Sequence, residues 1–216
     1  MLDAVLNRSI APFLYPVTAV LARSGIKPVH ITLSGAIFGI VCMGCLVFGF
    51  YPAALILLAF NRLCDGFDGA LARYNDKHGR KNGTSAIGAY LDIVCDMLFY
   101  AGFVLSFAIG IGTVKAGFAA AFLLFSFMAT ATSFLTHAVI AAKYGIKTSS
   151  QQTGKGIYYS RGLIEGSETI LCFTIMLLYP AGFMPIAMIF GTLCLITATI
   201  RIVNVWRDYN NEVAMR

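Results

Sequence analysis

Four aspartates fall in two short stretches of the chain: Asp65 and Asp68 in "CDGFDGALAR", and Asp92 and Asp96 in "YLDIVCDMLFY". The spacings are i, i+3 and i, i+4, so on a helix each pair shares one face. Both stretches border apolar runs: "YPAALILLAF" precedes the first and "AGFVLSFAIG" follows the second. A carboxylate in hydrocarbon costs about 3 kcal/mol by insertion scales, so it faces a partner or a cavity. Two helices that each present two carboxylates can enclose an acidic pocket. Four like charges repel unless protons or cations neutralise them. Mg²⁺ or Mn²⁺ suits an all-oxygen donor set of this kind. The plainer alternative is that each aspartate caps a helix or pairs with Arg62 or Arg73. That account suits one aspartate better than four at these spacings. Gly66, Gly69 and Gly88 lie among the aspartates, where a helix or ligand can approach the backbone closely. Arg73 is placed to meet a phosphate, or else to anchor a helix end.

The elements that carry these residues must live in lipid. The chain of 216 residues is 58% hydrophobic and only 12% charged, with a mean hydropathy of +0.78. A soluble domain of this length has no room to hide so much apolar surface. We expect an all-α integral membrane protein, one domain over residues 1–216. A spanning helix needs about 20 apolar residues, and six stretches qualify: 31–50, 52–73, 86–110, 116–142, 162–180 and 183–203. They would form a six-helix bundle over 31–206. Residues 1–30 carry Arg8, Arg23, Pro12 and Pro16 among Leu, Phe and Val, which predicts an amphipathic segment lying at the interface. In "SGIKPVHIT", Gly25 and Pro28 break the chain and Thr32 offers a helix start. The N-terminus lacks the basic start and apolar core of a signal peptide. All six cysteines lie in apolar stretches without zinc-like pairing and are expected to pack as small apolar residues.

Of the 16 lysines and arginines, only Lys115 falls in a turn on the far side of this six-span layout. The others lie in the N-terminal segment, in loops 73–85 and 143–161, in the C-terminal tail, or at Arg62 and Arg201 near span ends. By the positive-inside rule that side is cytoplasmic. The net charge of +6 then reflects topology and anionic headgroups rather than nucleic acid. Loop 143–161 is either a lid or a solvated connector. His30, His78 and His137 show no ligand spacing.

The run Asp65-x2-Asp68-Gly69-x2-Ala72-Arg73, followed by Gly88-x3-Asp92-x3-Asp96, resembles the signature of the CDP-alcohol phosphatidyltransferase family, of the bacterial phospholipid synthase type. The six-span layout, the N-terminal segment and "KPVHIT" extend the likeness over most of the chain. The sequence departs from the pattern in two places. The connection from Arg73 to Gly88 is longer than is usual, and Met97 stands where many members have Arg. The resemblance implies a membrane enzyme that moves a phosphatidyl group from CDP-diacylglycerol to a small alcohol and releases CMP. It implies a pair of metal ions, Mg²⁺ or Mn²⁺, held by Asp65, Asp68 and Asp92, with Asp96 as the general base. Gly69 and Arg73 would contact the nucleotide or its phosphates, with Thr32 as a further candidate there. It also implies the bacterial inner membrane, with the active site facing the cytoplasm; a homodimer is left open.

The acceptor is less defined. Lys143, Arg161 and Arg201 sit at the cation-rich ends of the later spans, where they could bind a phosphorylated acceptor. Anchoring by the positive-inside rule explains them equally well. Glycerol 3-phosphate is the first candidate acceptor, with inositol phosphate, serine or another alcohol as alternatives. Glu165 and Glu168 in "RGLIEGSET" could orient those cations or a polyol hydroxyl, or equally pair with Arg161, which Glu165 follows at i, i+4. The rival from another class is a divalent-cation transporter. A transporter predicts charges spread through the membrane depth or an inverted repeat, and the sequence has neither. A catalytically dead scaffold would not need all four aspartates.

Overall fold

The computed structural model describes residues 16–144, 164 and 166–214, and every regular element among them is helical. Residues 16–23 form α1. It is followed by α2 (Pro28–Val47), α3 (Tyr51–Lys77), α4 (Ala86–Ile111), α5 (Val114–Tyr144), α6 (Gly166–Leu178), a 3₁₀ turn at Pro180–Gly182 and α7 (Phe183–Ala214). Pro28 occupies the first turn of α2, where its missing N–H costs nothing. The helix therefore starts ahead of Thr32, which sits inside it. The Ser85 hydroxyl caps α4 by accepting from the Gly88 amide at 3.0 Å. Gly112 ends α4 at φ +68°, a left-handed cap that a side chain would strain.

Four helical stretches are long and apolar enough to cross a membrane: Pro28–Val47, Ala86–Ile111, Val114–Ile140 and Pro180–Arg207. They make this an all-α membrane protein. The helices at the other two expected spans, α3 and α6, differ for separate reasons. At 27 residues, α3 is about 40 Å long by its rise per residue and has the reach, but Arg62, Asp65, Asp68 and Arg73 interrupt it from near its middle onward. α6 has only 13 residues. Of the N-terminal segment, residues 1–15 lie outside the described residues, and so does most of loop 143–161.

α2 packs against both α3 and α4, α5 packs against α7 and α4, and α6 touches α3 and α7. Aromatic rings join the two groups. Phe103 of α4 stacks on Phe173 of α6 with centroids 4.0 Å apart, and Phe107 of α4 stacks on Phe183 of α7 at 4.7 Å. The close approaches around α2 are made by glycines on both sides, Gly102 and Gly110 of α4 as well as its own. A Cβ at Gly39 would lie 2.9 Å from the Phe99 ring, and one at Gly35 would lie 3.0 Å from Cys64 Cβ. Gly69 and Gly88, expected to serve this role, instead have only Arg73 and Ser85 of their own neighbourhoods nearby. Outward faces carry exposed Ile37, Ile40, Phe118, Phe125 and Ile189, as a lipid-facing surface requires. The cysteines among the described residues are unpaired, and Cys42, Cys172 and Cys194 are buried.

Turns of a few residues join α2 to α3 and α4 to α5, so these neighbours run antiparallel. The start of α2, the second half of α3 and the first half of α4 consequently share one end of the bundle. Hydrogen bonds from Thr32 to Asp68 and from Arg62 to Asp96 tie the three together there.

Candidate active site

Thr32, Gly35, Ala36, Asn61, Arg62, Asp65, Asp68, Asp92, Cys95 and Asp96 line one open cleft. Each helix contributes a face. Asp65 and Asp68 are one turn apart on α3, and Asp92 and Asp96 are one turn apart on α4, as the spacings require. All four carboxylates thus face one cleft between α3 and α4, two helices that each pack against α2, and the first turns of α2 close its third side.

The carboxylates are held differently. Asp68 is buried and accepts a 2.6 Å hydrogen bond from the Thr32 hydroxyl. Asp65 and Asp92 come within hydrogen-bonding reach of each other across the cleft. Asp96 Oδ1 accepts from Arg62 Nη2 at 2.7 Å, while its Oδ2 has the Tyr100 hydroxyl at 3.4 Å. Asn61 supports the arginine: its Oδ1 accepts from Arg62 Nε at 2.8 Å and Nη2 at 2.6 Å. The Asn61 amide in turn donates to the Gly35 carbonyl of α2 at 2.8 Å. The Phe99 and Tyr100 rings lie 5.4 and 5.8 Å from the guanidinium carbon, within cation–π range.

The donor chemistry can be tested against a divalent ion. Every carboxylate in the cleft offers hard oxygen, and two carboxylates as close as Asp65 and Asp92 require a shared proton or cation. The chemistry fits Mg²⁺ or Mn²⁺. As the side chains are placed, no three His, Cys, Asp or Glu groups among the described residues converge tightly enough to ligate one ion.

The remaining expected residues lie elsewhere. Gly69 and Arg73 follow Asp68 along α3 but do not line the cleft, and Arg73 is exposed. Lys143 is exposed in the last turn of α5. Arg201 is half-buried; its Nη1 donates to the Thr130 carbonyl at 3.2 Å and its guanidinium lies over Phe134. Neither lines the cleft. Arg161 and Glu165 lie outside the described residues. Glu168 accepts from Ser167 at 3.1 Å. His78 stacks on Tyr74 and contacts its carbonyl.

Asn61, Tyr100 and the α2 backbone at Gly35 were not singled out from sequence. The available signal was "NR" directly after "YPAALILLAF": an amide and a guanidinium one turn before Asp65. The longer connection after Arg73 is also built. Asp76 accepts from the Thr84 hydroxyl at 2.6 Å and the Thr84 amide at 3.2 Å, and the Asn75 amide donates to the Asn82 carbonyl at 2.8 Å. Arg80 donates to the Ala22 carbonyl at the end of α1 at 2.7 Å.

A model of the CDP-alcohol phosphatidyltransferase family matches residues 26–206. A curated relative, "Inner membrane protein YnjF" of Escherichia coli (strain K12), is 42% identical over 213 residues, covering 97% of this chain and 96% of its own length. Two solved structures of Mycobacterium tuberculosis phosphatidylinositol phosphate synthase share the fold. The one with CDP-DAG bound matches with a TM-score of 0.64 at 19% identity, covering 89% of this chain and 93% of that one. The one in complex with manganese and citrate matches with a TM-score of 0.62 at 20% identity, covering 89% and 88%.

Proposed function

Because the chain belongs to the CDP-alcohol phosphatidyltransferase family, we propose that it transfers the phosphatidyl group of CDP-diacylglycerol to a small phosphorylated alcohol, with glycerol 3-phosphate as the first candidate. The observation that carries this is the meeting of four carboxylates from α3 and α4 in one cleft with Thr32. Asp65, Asp68 and Asp92 would hold Mg²⁺ or Mn²⁺, as a pair of ions. When bound, such ions supply neutralisation of the diphosphate and a better leaving group in CMP.

The protein's own residues divide the remaining work. Asp96 accepts the acceptor's proton. Its Oδ1 is occupied by Arg62, so Oδ2, with only the long Tyr100 contact, is the oxygen free to take it. The acceptor oxygen bonds to the lipid-side phosphorus, the bond from that phosphorus to the bridging oxygen breaks, and CMP leaves with the electron pair. Thr32 keeps Asp68 pointed into the cleft. Gly69 and Arg73, just past the cleft on α3, would meet the nucleotide or its phosphates. Lys143, Arg161 and Arg201 would supply the acceptor's phosphate site. Six crossings, including α3 and α6, put this end on the cytoplasmic side of the bacterial inner membrane, because the cations gather there. Residues 1–216 would work as one domain, with 1–30 at the interface.

Purified protein given CDP-diacylglycerol and a panel of alcohols tests the reading through CMP release. Release with glycerol 3-phosphate or inositol phosphate supports it. Release with serine alone would remove the phosphate site, and release with none would overturn the acceptor class. Labelling engineered cysteines in loop 74–85 from outside intact cells checks orientation; strong labelling would invert it.

A further inference from the structure

We propose that Arg62 is a positioning residue that partitions the four carboxylates: it binds Asp96 to the protein's own guanidinium and so keeps that carboxylate out of the ion-binding set. The inference rests on the division of labour proposed above.

The distances are unequal. Arg62 Nη2 lies 2.7 Å from Asp96 Oδ1, a charge-assisted hydrogen bond, whereas Nη1 lies 3.6 Å from Asp65 Oδ2, beyond hydrogen-bonding range. The arginine thus belongs to Asp96 and only borders Asp65. It is also braced. Asn61, 5% exposed, takes two of its N–H groups and is itself bonded to the α2 backbone at Gly35. Turning the guanidinium away from Asp96 would break bonds to two helices in a low-dielectric site, where unmade bonds are costly. Among the described residues lining the cleft, Arg62 is the sole cation.

Without it, Asp96 is a fourth carboxylate one turn from Asp92 and facing Asp65. Nothing would then distinguish it from a ligand. Identical side chains take different roles here because one of them has a permanent organic counter-ion. Lysine would not reproduce this, since a point charge cannot engage Asn61 and Asp96 with the same planar fork.

The experiment uses full-length protein with Arg62→Met, Asp96→Asn, both together, and Arg62→Lys. Mn²⁺ binding and CMP release are measured on each. We expect Arg62→Met to bind Mn²⁺ about tenfold more tightly, the usual scale for a group that orients a ligand, and only while Asp96 is present. An equal gain in the Asp96→Asn background would mark mere removal of a nearby charge and overturn the proposal. Unchanged or weaker Mn²⁺ binding in Arg62→Met would also overturn it. Turnover should fall by about 10²-fold in Arg62→Met and no further in the double variant, because both changes disable one unit. Multiplied losses would give Arg62 a separate role. Should Arg62→Met not fold, Arg62→Lys decides: a turnover loss near tenfold together with tighter Mn²⁺ binding supports the proposal, and unchanged Mn²⁺ binding or wild-type turnover sinks it. Full turnover in Asp96→Asn would remove the base assignment instead, and the Mn²⁺ comparison would still judge Arg62.

Discussion

The α2–α3–α4 group and the α5–α7 group use similar polar residues for opposite ends. In the second group, hydroxyls mostly return to their own helix. Ser126 bonds the Phe122 carbonyl, Thr174 that of Ile170, Thr192 that of Met188 and Thr199 that of Leu195, each four residues back. Where they cross, they reach backbone: Thr130 also donates to the Cys194 carbonyl, and Thr197 accepts from the Ile164 amide. The first group has such bonds too, Ser34 to the His30 carbonyl, Thr32 to that of Pro28 and Asn61 across to that of Gly35, but it adds bonds between side chains of different helices, Thr32 to Asp68 and Arg62 to Asp96. Self-satisfied hydroxyls let helices pack in lipid without leaving polar groups bare. Side-chain bonds between helices leave charge standing in a cleft, which packing alone does not require. The address of a hydrogen bond, more than the residue type, separates a membrane scaffold from a membrane active site.

The largest break in this comparison should come from the ion-binding aspartates. Asp65→Asn, Asp68→Asn or Asp92→Asn should each lower turnover by about 10³-fold or more, a loss of ~4 kcal/mol of charge stabilisation. A chelator should abolish CMP release, and Mg²⁺ or Mn²⁺ should restore it. A variant that kept wild-type rate and metal dependence would forfeit its ligand role. Asp96→Asn is expected to do less: turnover down by about 10²-fold, with metal-dependent CDP-lipid binding nearly intact. Equal loss of binding in Asp92→Asn and Asp96→Asn would make Asp96 a fourth ligand.

A smaller effect sharpens the contrast between hydroxyls. Thr32→Val keeps shape and removes the donor to Asp68; turnover should fall about tenfold, as expected for a hydrogen bond to a charged group. Thr130→Val, in the other group, should cost roughly 1 kcal/mol of stability while turnover stays within about twofold. Thermal unfolding and CMP release, measured on both, separate the two roles. Similar catalytic losses would erase the distinction.

Much of this was legible beforehand, and the reasons differ by element. The aspartate spacings placed four side chains on two helix faces because a helix has only one period. The helices at 86–110 and 183–203 were found because lipid demands long apolar runs. α3 was legible as a helix only from its apolar first half, since its chemistry dilutes the hydropathy of the rest. Thr32 could be named a candidate, but its bond to Asp68 spans 36 residues and depends on how α2 leans on α3. The bracing of Arg62 by Asn61 was illegible for the same reason: adjacent residues on a helix do not face each other, and their joint aim at α4 emerges only from packing. The approach of Gly35 and Gly39 was missed because a small residue in a membrane helix looks the same whether or not a neighbour fills the space.

The smallest expected effect lies in the connection between Arg73 and Gly88, where the sequence departs from the family's pattern. This stretch is polar and folded, and apart from Arg80, which reaches the Ala22 carbonyl of α1, the bonds given above close within it. The Thr84 hydroxyl and amide both point at Asp76 and hold its carboxyl below the ordinary carboxylate range. A group lowered on folding stabilises above its ordinary value and loses that contribution as pH falls through the lowered one. The clasp should therefore be intact at neutral pH and loosen only below about pH 4. Asp76→Ala removes the acceptor at every pH, while the Asn75 bond to Asn82 still tethers the loop. Exchange of the Thr84 amide should then quicken by about tenfold, an opening confined to the loop. Turnover should not change, since Asp76 and Thr84 do not line the cleft. Hydrogen exchange and CMP release on one variant decide the matter. If turnover fell as far as in Thr32→Val, the loop would belong to the active site, and the boundary between site and scaffold would lie beyond the end of α3.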